Sequence, residues 1–115
     1  KALPLFQELM QNGYVTYQLQ ENMAILYEEN QDFEASKSVL MKLAADYPDN
    51  YRVYKRIAFL EADRQQYLNN SQRDYSTVKV YYDKCKELYE QQNVEDPEIL
   101  MLDNMIRDLQ SGGWL

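Results

Sequence analysis

Two stretches of this chain repeat one another at an interval of 34 residues, and the repeated positions are those that decide how helices pack. In the first stretch, Ala24 and Tyr27 share a helix face, Asp32-Phe33 follow a short turn, and Ser36, Leu40 and Pro48 mark the next helix. Tyr54, Ile57 and Ala58 then stand 34 positions after Gln20, Met23 and Ala24. Small residues let two helix backbones approach closely, and a proline at the far end stops the second helix. An interval of this length predicts helix hairpins stacked in series.

Local signals divide the chain into six helices. Pro4 suits a first helical turn, and Leu5, Phe6, Leu9 and Met10 form an apolar face that Gly13 ends. Thr16 is the expected N-cap of a helix carrying Leu19, Met23, Leu26 and Tyr27. Asn30-Gln31 make the turn, and Asp32 caps a helix in which Phe33, Val39, Leu40, Leu43 and Tyr47 are buried. Asn50 caps the next, with Val53, Tyr54, Ile57, Ala58 and Leu60 inward. Tyr27 to Phe33 is six positions, whereas Glu61 to the matching Tyr75 is fourteen. The excess predicts a lengthened helix and a polar protrusion over 63–73, irregular near Asn69-Asn70-Ser71. Asp74 is expected to cap a fifth helix with Val78, Tyr82, Cys85 and Tyr89 inward. Asp96-Pro97-Glu98 is a strong helix start. The last helix turns Ile99, Leu102, Met105, Ile106 and Leu109 to the core and keeps one polar side, as a terminal cap requires, until Gly112. Trp114 and Leu115 are expected to fold back.

Composition narrows the chemistry. With 19 acidic and 12 basic residues the net charge is −7, a poor match to a phosphate backbone, so nucleic acid is not an expected partner. No apolar run approaches the length of a membrane span. Histidine is absent, which removes Ser-His and Cys-His nucleophile pairs and histidine-based metal helices. Cys85 is the one cysteine, so neither an internal disulfide nor a thiolate zinc cluster is expected. A lone thiol fits a reducing compartment, and the expected location is cytoplasmic. The chain opens on Lys1 and is read as a piece of a longer protein. Eleven tyrosines suit a thin array with much half-buried surface.

These residues and their spacing resemble the tetratricopeptide repeat family, in the degenerate form found in bacterial proteins. The resemblance implies an all-α, right-handed superhelix of about three antiparallel helix pairs in one domain. Its parts are a partial helix at 1–13, a repeat at 17–50, a second with an insertion at 51–92, and a capping helix at 96–111. The second repeat departs from the family pattern at Glu61, Val78 and Glu90, and the family's first-helix tryptophan and glycine are missing from both.

The resemblance further implies a protein-interaction scaffold that binds an extended peptide or helix in a concave groove, with no catalysis, cofactor or metal of its own. The groove would be lined by Gln18, Glu21, Asn22, Ile25 and Glu28 from one first helix and by Arg52, Lys55, Arg56, Phe59 and Ala62 from the other. Asn22, Arg52 and Arg56 also match the later part of a clamp with which some family members hold a peptide carboxylate. Pairing of Arg52 and Arg56 with Glu21 and Glu28 is the plainer expectation. Two other roles stay open: a regulatory domain of a larger signalling enzyme such as a bacterial serine/threonine kinase, and self-association through the Phe6 and Leu9 side of the first helix.

Overall fold

The computed structural model describes residues 17–115, and all regular structure among them is helical. Pro4, Leu5, Phe6, Leu9, Met10, Gly13 and Thr16, and with them the expected first helix, lie outside the described residues. The helices are α1 (Tyr17–Glu29), α2 (Phe33–Asp46), α3 (Tyr51–Gln65), α4 (Ser76–Tyr89) and α5 (Pro97–Ser111), with a 3₁₀ turn at Asn70–Gln72. Their contacts fall into two units that part between Pro48 and Asp49.

The first unit is the hairpin of α1 and α2. Ala24 and Ser36 are both buried at its crossing, where the Ser36 hydroxyl donates to the Ala24 carbonyl at 2.7 Å. A larger side chain at either position would hold the backbones apart. The turn is tight because α1 ends in a Schellman motif: the Asp32 N–H donates to the Tyr27 carbonyl and the Gln31 N–H to that of Glu28, both at 2.9 Å. Gln31 is the left-handed residue of the motif, with φ of 62°. Asp32 closes one helix and opens the next, its carboxylate accepting from the Ala35 N–H at 3.3 Å. Tyr47, expected inside, is exposed because α2 stops at Asp46; its ring meets that of Tyr17 edge-on at 5.2 Å.

The second unit is the hairpin of α3 and α4, with α5 laid against both. Asn50 caps α3 by accepting from the Arg52 N–H at 3.0 Å. Ala58 and Cys85 occupy the crossing with no exposed surface, and Ile99 and Leu102 of α5 cover them. Ala62, Tyr75, Val78 and Ile106 continue this core. Leu88, absent from the sequence expectation, is buried as well.

The inserted residues lengthen α3 very little. Placed on the 34-residue interval, the end of α1 at Glu29 corresponds to position 63, and α3 ends at Gln65. The remainder forms a loop closed by Arg73, whose guanidinium donates to the carbonyls of Gln66 and Leu68 at 3.1 Å each. The Gln66 carbonyl, at the C-cap, is one that the end of α3 leaves without a helical partner. Asp74 lies one residue further out than a standard N-cap, and its carboxylate still accepts from the Ser76 N–H at 3.0 Å.

At the end of α5 it is Gly113, and not Gly112, that takes the left-handed conformation, with φ of 84°. The Trp114 N–H donates to Leu109 at 2.8 Å and the Gly113 N–H to Gln110 at 3.2 Å, a second Schellman motif. It turns Trp114 back onto Tyr75, ring centroids 5.3 Å apart. α5 keeps the polar side expected of a cap, with Arg107, Asp108 and Gln110 exposed, but it exposes two large apolar side chains as well, Leu100 at 62% and Met101 at 59%.

The two left-handed positions carry opposite residue types, so exchanging them moves stability in opposite directions. Gln31→Gly is expected to stabilise the first unit by about 0.5–1 kcal/mol, and Gly113→Ala to destabilise the end of α5 by about 1 kcal/mol. Urea unfolding monitored by circular dichroism checks both signs.

Candidate functional site

The side chains expected to line a binding groove fall on α1 and α3. On α1, Gln18 is exposed and Asn22, Ile25 and Glu28 are half-buried, whereas Glu21 is buried. These residues bind one another along the helix. The Gln18 amide donates to Asn22 Oδ1 at 2.9 Å, and the Tyr17 hydroxyl donates to Glu21 Oε2 at 2.9 Å. The four-residue spacing of both pairs puts the partners on one face.

On α3 the positions behave differently. Ala62 is buried against Tyr75, Val78 and Ile106, and Phe59 packs beside Ala58 and Cys85. Lys55 is almost wholly buried, and its ammonium meets Asp96 Oδ2 at 2.7 Å and Glu98 Oε1 at 2.8 Å. Arg56 reaches the other oxygen of Glu98 at 2.7 Å, with its guanidinium 5.3 Å from the Phe59 ring centroid. The plainer expectation had paired Arg56 with the acids of α1; the structure pairs it with Glu98 at the start of α5. Arg52 is half-buried.

Asp96 is the centre of this arrangement. One oxygen caps α5 through the Glu98 N–H at 3.0 Å; the other accepts from Lys55 and from the Tyr51 hydroxyl at 3.0 Å. Its own N–H donates to the Tyr89 hydroxyl at 3.2 Å, and the Tyr89 ring meets Tyr51 edge-on at 5.1 Å. Burial by itself would raise the Asp96 carboxyl, but the donors Lys55, Tyr51 and the Glu98 N–H outweigh it and hold it below the usual range. Glu98 is held low in the same way, burial being outweighed by Lys55 and Arg56. Tyr51 is pushed up to about 12, by burial first and then by its hydrogen bond to Asp96. The chemistry of this cluster is that of a lock: each charge is matched, and the donors are spent on one carboxylate pair.

A second polar cluster lies where α4 and α5 meet, in a cleft of about 410 Å³. Lys79 pairs with Asp83 at 2.7 Å and Lys86 with Asp103 at 3.2 Å. Tyr82 donates to Asp103 at 2.7 Å, and burial followed by that bond raises its pKa. Cys85 is buried, and its thiol is pushed up to about 11, chiefly by loss of solvent. Among the described residues no group of three acidic or thiol side chains could hold a metal ion, and no helix is long and apolar enough to cross a membrane.

The sequence reading missed that the helix start at Asp96-Pro97-Glu98 is also the ion partner of α3. A signal was present: two acids flank a proline that cannot donate, and two adjacent bases, Lys55 and Arg56, lacked an acid at helical spacing within their own helix. No family model matches the chain, and neither a curated protein nor a solved structure matches it.

The network predicts a graded response. Asp96→Asn retains the cap and loses the ion pair, costing about 1–3 kcal/mol; Asp96→Ala loses the cap too, costing about 1 kcal/mol more. Because Asp96 and Glu98 are held below their unfolded values, their stabilisation is complete above those values and is lost as pH falls through the folded ones. The gap between wild type and Asp96→Asn in urea unfolding should therefore narrow as pH is lowered from about 6 to about 2.

Proposed function

We propose that this chain is a tetratricopeptide-like interaction module, in which the first helix of a hairpin presents its outward side chains to an extended segment of a partner protein. The observation that carries this reading is the recurrence of one hairpin design. Ala24 with Ser36, and Ala58 with Cys85, put small buried residues at both crossings, and the two alanines lie 34 positions apart. Such hairpins fix outward side chains at set intervals along a rigid helix, and a surface ordered in advance loses little entropy on binding. This is how such a scaffold gains affinity without chemistry of its own.

The charge arrangement narrows the partner. Lys55 and Arg56 are neutralised by Asp96 and Glu98, so the segment is not chosen by a positive wall. The other polar positions of the first helices, Gln18, Asn22 and Glu28 on α1 and Arg52 on α3, are mixed in character and favour a peptide of mixed polarity over a uniformly charged one. The free carboxylate of a peptide is a weaker candidate ligand, because Arg56 of the clamp-like set is occupied.

Selection from a random peptide display, followed by calorimetry with the winning peptides, tests the reading. Asn22→Ala and Arg52→Glu should each weaken the selected peptides about ten-fold, a loss of roughly 1.4 kcal/mol. Undiminished affinity in both variants would move binding away from the first helices.

A further inference from the structure

The apolar face of α5 is wider than the core it covers. Ile99, Leu102 and Ile106 face the core, as a helix covering a hairpin must. Beside them a stripe of Met101, Met105 and Leu109 at four-residue spacing, of which Met105 and Leu109 pack partly on the core, lines an open cleft of about 540 Å³ together with Trp114. Met101 is 59% exposed and Trp114 37%. Four-residue steps make a continuous ridge along a helix, which is the shape that the groove of another helix accepts. Methionine adapts to whatever packs on it, and tryptophan supplies a large rigid anchor.

Charge indicates what kind of helix that would be. Asp108 and Asn104 border the cleft, and the last turn of α5 carries no basic residue. The carboxylate therefore adds to the partial negative charge at a helix C-terminus, which no base of that turn offsets, and the preceding Arg107 is engaged with Asn104 at 3.2 Å. With a net charge of −7 on the chain, a second copy is repelled and a cationic partner is drawn in. We infer that this cleft is a docking site for a basic amphipathic helix of another protein, its apolar ridge on Met101, Met105 and Trp114 and a lysine or arginine beside Asp108. The site lies wholly within the second unit and does not depend on the first-helix reading.

Trp114 is the only tryptophan, so its emission reports on the cleft directly. A synthetic amphipathic helix of leucine and lysine, titrated into the protein, should shift that emission to the blue and saturate. The same helix with glutamate for lysine should not. Met101→Glu makes the protein more acidic, so simple charge attraction would strengthen binding; docking on the stripe predicts at least a ten-fold loss. Should Met101→Glu melt early, Met101→Gln, which adds no charge, is read in its place and should weaken binding several-fold. Asp108→Lys should reverse the preference between the two peptides. A shift that survives Met101→Glu, no saturable shift with either peptide, or a dimer of the protein alone that Met101→Glu abolishes, would each overturn the inference.

Discussion

The second unit depends on how one ammonium group is kept content out of water. Lys55 sits on the inner side of α3 with almost no solvent, and an isolated charge there would be costly. Asp96 and Glu98 remove that cost, and both stand at the first turn of α5. The Asp96 cap and Pro97 set locally where α5 begins, and its pairing with Lys55 ties that first turn to α3 beside Ala58 and Cys85. A buried ion pair adds little net stability over an apolar contact, but breaking one is expensive, so such a pair discriminates strongly against misplacement.

The two units solve the same packing problem with different turns. In the first, three residues suffice, because Gln31 accepts a left-handed backbone and Asp32 both ends one helix and begins the next. In the second, the connection is long and polar, and Arg73 supplies by side chain the hydrogen bonds that the tight turn makes by backbone. Both leave small residues where the helices cross. Close approach of two backbones is thus the common element, and the means of reversing the chain is variable.

Much of this was legible in the sequence, and the reasons are local. Caps at Asp32, Asn50 and Asp96 act on N–H groups two or three residues away, so the residue types alone mark them. The 34-residue interval located Ala24 and Ala58 at crossings because only small residues tolerate that approach. What stayed hidden is long-range. The partners of Lys55 lie about forty residues away and follow from tertiary packing, not from helical spacing. Ala62 looked like a groove position and is instead covered by Ile106, for the same reason. Leu100 and Met101 were hidden because periodicity picks out the buried apolar face, and these two lie outside it. For the candidate binding positions, spacing could not reveal which side chains were already engaged.

Cys85 gives the second unit an internal clock. It is the sole thiol, it lies where α3, α4 and α5 converge, and desolvation keeps it protonated and unreactive. A thiol-specific reagent can reach it only in moments when those helices part. The rate at which the protein is labelled therefore measures how often the core breathes, without any added probe.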